Sequence, residues 1–195
     1  MGTLARDFAM PKKLTCDEDT LTDTYAKFIA EPFERGYGMT IGNGLRRVLL
    51  SSIEGAAVTS VKIDGVLHEF SAIPGILEDV TQIILNVKQM VLRSHSRQPR
   101  TIVIQKDKKG AVMAGDFEGD DAIEVINPEL HLCTLTKIGT FQMELEVNRG
   151  RGYVPAEKHK KEGQPIGMIP VDALFSPVQR VDFSVEDTRV GQVTD

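Results

Sequence analysis

Four glycines, Gly36, Gly38, Gly42 and Gly44, fall within nine residues of the stretch "FERGYGMTIGNGLRRVLLSSIEG" and run directly into two adjacent arginines, Arg46 and Arg47. Glycine-rich turns that open a helix hold phosphate through backbone N–H groups, so nucleotide binding is the first chemistry to weigh. The spacing fails it. A dinucleotide fingerprint, G-x-G-x-x-G, ends on Ile41 when counted from Gly36 and on Arg47 when counted from Gly42. A P-loop needs two glycines separated by four residues and then Lys with Ser or Thr, and that string does not occur.

Other constellations are weaker. In "NRGRGYVPA", Arg149 and Arg151 beside Tyr153 could neutralise and stack on RNA; a turn between strands that touches a partner protein is the alternative, and the acidic chain favours it. "DFEGDDAIE" has spaced carboxylates but no glycine at the sixth position of a calcium loop. His68, His95, His131 and His159 are scattered, and no nucleophile sits in a G-x-S-x-G setting. Cys16 and Cys133 form no CxxC or paired-histidine spacing, which argues against a disulfide framework or a zinc site. Clustered carboxylates of the sort that hold two metal ions for phosphoryl chemistry are absent. The expectation is a chain with no catalytic residue, no metal and no cofactor.

The bulk properties agree. With 195 residues, 41% of them apolar, the chain can bury a sizeable core. Lys and Arg number 23 against 28 Asp and Glu, for a net charge of -5, the wrong sign for a dedicated nucleic-acid coat, so any basic site must be local. "MGTLARDFAM" has no apolar signal core, and Arg6 stands where a myristoylation signal needs Ser or Thr. No run reaches membrane-spanning length, and a reducing cytoplasm is the expected compartment.

These residues need elements to position them. "TYAKFIA" alternates as a strand does before Pro32. From Thr40 to Ser52, Ile41, Leu45, Val48 and Leu49 recur at helical spacing, and Gly42 and Gly44 flank that stripe, where either could let another backbone approach. Glycine in a helix costs about 1 kcal/mol relative to alanine, so two in one turn imply tight packing within the chain or a functional constraint. On the opposite face Leu50 is ringed by Asn43, Arg46 and Arg47, an apolar anchor with an arginine rim; the plain alternative is a stray exposed leucine. "AVTSVKIDGVLHEF" predicts a hairpin turning at Asp64-Gly65, and a second helix is predicted from Glu78 to about Leu92, with Val80, Ile83, Ile84, Val87 and Val91 on one face. Short β-runs follow: "TIVIQ", "AVMA", "AIEVI", "HLCTL", "TFQMELEVN", "GMIPVDA" and "QRVDFSVED". The charged stretches "KDKKG", "DFEGDD" and "AEKHKKEGQP" read as solvated loops. The fold class is α+β.

The segment from "EPFERGYGMTIGNGLRRVLLSS" through "ILNVK", with "ELEVNRGRGYVPAEKH" and "PIGMIPVDALFSPVQRVDFSVEDTRVGQVTD", closely resembles the amino-terminal domain of bacterial RNA polymerase alpha subunits. That resemblance implies two lobes: a dimerisation lobe from residues 1–54 and 176–195, interrupted by an inserted β-rich lobe at 55–175. It implies a homodimer that nucleates polymerase assembly, one copy docking on beta and the other on beta-prime. The dimer contacts would be Ile41, Gly42, Gly44, Leu45, Val48 and Leu49, and the beta contacts Asn43, Arg46, Arg47 and Leu50. By the same resemblance the chain stops at Asp195 before the dimerisation lobe is complete, so its own dimerisation is open, and promoter DNA contacts are not expected from it. A free-standing RNA-binding module using the "RGRGY" loop is the alternative.

Overall fold

The computed structural model describes residues 9–118, 120–160, 163–190 and 193–194. Two compact units divide it, Met1–Leu49 with Arg180–Asp195, and Leu50–Gln179, where the sequence predicts changes at 54/55 and 175/176. Residues 119, 161 and 162 of the expected charged loops, and 191, 192 and 195 of the last segment, lie outside the described residues.

In the first unit, β1 (Thr15–Cys16) pairs antiparallel with β2 (Phe28–Ile29), the ordered part of the alternating "TYAKFIA". Helix α1 (Tyr37–Ser51) follows Gly36, whose φ of +84° suits glycine at the turn before it. Its last two residues belong to the second unit.

The second unit is built around β3 (Glu54–Ile63), after which come α2 (Val80–Val87), β4 (Leu92–Ser94), β5 (Arg100–Lys106), β6 (Gly110–Met113), β7 (Phe117–Glu118), β8 (Ile123–Val125), β9 (His131–Leu135) and β10 (Phe141–Arg151). Then β11 (Tyr153–Val154), β12 (Met168–Pro170) and β13 (Ala173–Leu174) complete it, and the short pair β14 (Arg189–Val190) and β15 (Val193–Thr194) belongs to the first unit. The principal sheet runs β7-β5-β10-β3-β4-β8, with β12 also on β3. The fold is α+β.

Along β10 the alternation puts Phe141, Met143, Leu145 and Val147 inside, against Ile102 and Ile104 of β5 in the same buried cluster. One stretch breaks that rhythm: in β3 every residue from Ala57 to Val61 is buried. The register explains it, because Ser60 pairs with Glu146 but Val58 with Val147, leaving Thr59 as the extra residue of a bulge that reverses which parity faces the core. Polar side chains satisfy the bulge: Asn148 donates to the Thr59 hydroxyl at 2.8 Å, and Ser60 donates to Glu146 at 2.8 Å.

The expected hairpin after Asp64-Gly65 does not form. Gly65 turns at φ +78° and Val66 N–H returns to Ile63 at 3.1 Å, but Val66 to Phe70 add no strand, since β3 is already paired to β10 on one edge and to β12 and β4 on the other. The second helix ends at Val87 instead of Leu92. Asp79 caps its start, accepting Gln82 N–H at 2.7 Å, whereas at the far end the Asn127 side chain accepts Val91 N–H at 2.9 Å and directs the chain into β4. Val80, Ile83 and Val87 are buried as expected, and Val91 is exposed. "QRVDFSVED" carries no strand, and its apolar side chains have a different use.

Candidate functional site

That use lies against α1. A β-carbon added to Gly42 would stand 2.5 to 3.0 Å from three ring carbons of Phe183, and one added to Gly38 would stand 3.1 Å from Val185. Gly38 and Gly42 are one turn apart, so they form a shallow seat on which the extended 183–185 segment rests. What approaches Gly42 is therefore an aromatic side chain of this same chain, where the sequence predicts a backbone. Gly44 differs: among the described residues nothing lies within 4 Å of its added β-carbon. Thr188 further ties the segment to Glu31 at 3.3 Å.

The apolar stripe of α1 is uncovered. Ile41 is 38% exposed, Leu45 50%, Val48 54% and Leu49 37%, and no residue of the helix is buried. At about 100° per residue, Phe183 seats on the Gly42 edge of the stripe, while Gly44 leaves an open floor on the other edge beside Val48 and Ile41. The stripe is thus no internal core face, as tight packing within the chain would require. On the opposite face Asn43, Arg46 and Arg47 are exposed, and Leu50, predicted to stand out as an anchor, is half-buried.

The second cluster is the "RGRGY" segment. Both arginines lie in β10 and not in a turn: Arg151 pairs across the ladder with Glu54, and Arg149, two residues back, shares its face. Each gives one N–H to a different oxygen of the same carboxylate, Arg151 at 2.8 Å and Arg149 at 3.0 Å. The hydrogen bond and charge of Arg151, with a smaller contribution from Arg149, hold the Glu54 carboxyl below the usual carboxylate range. Between the arginines, Gly150 faces Gly55, and Phe175 covers the pair: a β-carbon on Gly150 would come within 2.7 Å of its ring, and one on Gly55 would collide with its backbone carbonyl. The glycine is required by packing, not by a phosphate.

Gly152 then turns at φ +61° into β11, and Tyr153 is exposed. Asp172 gathers the surrounding elements, accepting Ala156 N–H at 2.9 Å and Lys88 Nζ at 3.0 Å. His159 meets Phe175 edge-on at 6.3 Å, and its Nε2 is buried with no hydrogen-bond partner among the described residues. The partners Glu54 and Phe183 escaped the sequence reading. Their only signal was parity: Glu54 opens the β3 pattern, and Phe183 alternates with Val185.

Among the described residues no group of His, Cys, Asp and Glu could hold a metal ion, and no helix is long and apolar enough to cross a membrane. Burial pushes the Cys133 thiol up to about 12, which leaves it protonated and inert.

Residues 61–176 match the model of the RNA polymerase Rpb3/RpoA insert domain. The chain is 57% identical over 183 residues to the DNA-directed RNA polymerase subunit alpha of Moorella thermoacetica, covering 94% of this chain and 58% of that protein. A second subunit alpha, from Desulfitobacterium hafniense (strain DSM 10664 / DCB-2), is 55% identical with the same coverage, and one from Geobacter metallireducens is 53% identical over 190 residues, 97% of this chain and 56% of that protein. The chain spans little more than half the length of these curated relatives.

Proposed function

We propose a function from one premise: this chain belongs to the RNA polymerase Rpb3/RpoA insert-domain family. In our reading it is a non-catalytic assembly part of a bacterial DNA-directed RNA polymerase, working in the cytoplasm. It pairs with a second copy of itself and nucleates the docking of beta and beta-prime.

One observation carries the reading. The α1 stripe of Ile41, Leu45, Val48 and Leu49 is amphipathic at helical spacing yet exposed, and such a face is stable when something covers it. With Phe183 on one edge and Gly44 open on the other, the stripe suits close approach by a second copy. Arg46, Arg47 and Asn43, around half-buried Leu50, suit beta, because arginine beside an apolar anchor gives bidentate contacts and desolvates more readily than lysine. No DNA contact, cofactor, metal or membrane partner is assigned to this chain. RNA binding through Arg149 and Arg151 draws less support, since both already bond Glu54.

The test uses a chain extended to the length of its relatives. Leu45→Glu should abolish self-association in sedimentation, and Arg47→Ala should leave melting and self-association intact while weakening beta capture about thirtyfold, the equivalent of 2 kcal/mol at an anchor. Unchanged beta capture would remove Arg47 from the surface, and a collapsed melting temperature would mean that the helix faces are reversed.

A further inference from the structure

Two guanidinium groups share one carboxylate at the start of β3, and a third cation faces the same space. Glu54, Arg97, Arg149 and Gly150 line an open cleft of about 390 Å³. Both oxygens of Glu54 are occupied, one by Arg149 and one by Arg151, so this carboxylate balances only one of the two charges. Arg97, in the exposed connection between β4 and β5, has no hydrogen bond or ion pair among the described residues. Its basic neighbours do: Arg93 bonds Glu124 at 3.0 Å, and Arg100 meets Asp120 at 3.5 Å. The uncompensated charge is therefore concentrated at Arg97, Arg149 and Arg151, three cations against the one anion Glu54.

We propose that this cleft binds one carboxylate side chain from an acidic segment of a partner polypeptide, held between Arg97 and Arg149. Guanidinium N–H groups form a fork that matches a carboxylate, and Arg149 spends one N–H on Glu54, which fixes the orientation of its planar group while leaving further donors. A nucleic-acid strand fits less well. It would bring successive phosphates past the exposed Glu54 carboxylate, no aromatic side chain among the described residues lines the cleft for a base to stack on, and the chain as a whole carries a net charge of -5. The inference stands apart from the α1 surface and from the assembly reading.

The experiment measures fluorescence anisotropy of a labelled hexa-aspartate peptide with the 195-residue chain at low salt. Binding should weaken about tenfold in Arg97→Ala and in Arg149→Ala, recover in part in Arg97→Lys, and change less than about twofold in Arg93→Ala. Arg97 is exposed and unpartnered, so its variant keeps the melting temperature and stays informative even if Arg149→Ala loosens the sheet. Absence of peptide binding would overturn the proposal, as would equal losses in Arg93→Ala and Arg97→Ala, which would reveal unspecific charge attraction. Tighter binding of hexauridylate, lost in the same two variants, would overturn it in favour of a phosphodiester site.

Discussion

Replacing Gly44 by alanine should raise stability and replacing Gly42 should not, although the two positions share one turn of one helix. Alanine in place of glycine within a helix contributes about 1 kcal/mol through backbone entropy. At Gly44 the added methyl meets nothing within 4 Å among the described residues, so that gain is realised in full. For a chain of this size it raises the melting temperature by about 2 to 4 °C. At Gly42 the same gain is opposed by three Phe183 ring carbons at 2.5, 2.8 and 3.0 Å, where ordinary contact begins near 3.4 Å. Overpacking of that order costs about 1 to 3 kcal/mol, which leaves Gly42→Ala between neutral and about 2 kcal/mol less stable. Thermal melting followed by circular dichroism, with amide exchange across residues 37–51, reads both variants. Under the assembly reading, sedimentation should also show Gly44→Ala weakening self-association while it strengthens the folded chain. Equal shifts of the same sign in both variants would refute the seat of Phe183 on Gly42, and destabilisation by Gly44→Ala alone would show that its side of the helix is occupied within the chain.

Further outcomes follow from the second unit. Gly55→Ala places a β-carbon into the Phe175 carbonyl, a backbone atom with no rotamer to yield, and should cost about 3 kcal/mol, seen as a lower midpoint in urea; a midpoint within error of the parent would mean that the strand simply shifts. Buried Cys133 should resist a thiol reagent at pH 8 while half-buried Cys16 reacts, both becoming equivalent in denaturant. Its raised pKa also contributes stability that is present below the ordinary thiol value of 9.0 and fades as the pH climbs toward about 12, so alkaline unfolding should ease in that window and be less steep in Cys133→Ala. Asp172, held below its ordinary range first by Ala156 N–H and then by Lys88, contributes stability above its unfolded pKa that is lost as the pH falls through the lower folded value; Asp172→Asn should flatten that acid limb.

What was readable in the sequence was what local periodicity encodes. Ile41, Leu45, Val48 and Leu49 announce α1, and the alternation of β10 announces a half-buried strand, which together suffice for an α+β class. Boundaries failed where a distant residue decides them. Val91 leaves the helix because Asn127, 36 residues on, takes its N–H. The segment after Gly65 stays unpaired because both edges of β3 belong to strands far away in sequence. The arginines of "RGRGY" look like a free basic loop until Glu54, 95 and 97 residues earlier, is seen to hold them. Exposure escaped it too: periodicity marks the α1 stripe as a face needing cover, without saying that this chain leaves it open.

The long pairing of β3 has a consequence for the ribosome. The ladder that joins Glu54 to Arg151 spans 97 residues, so β3 leaves the exit tunnel well before its partner exists. At roughly 5 to 20 residues per second, a segment carrying Val58, Val61 and Ile63 waits about 5 to 20 seconds with the edge that β10 covers still bare, and non-local strands of this kind also close slowly once complete. Synthesis therefore creates an interval in which β3 is an exposed apolar strand, open to wrong pairing with other nascent chains. Over that interval the yield of native protein depends on translation speed and on chaperones that bind extended apolar chain, a dependence set by the order in which the strands are made.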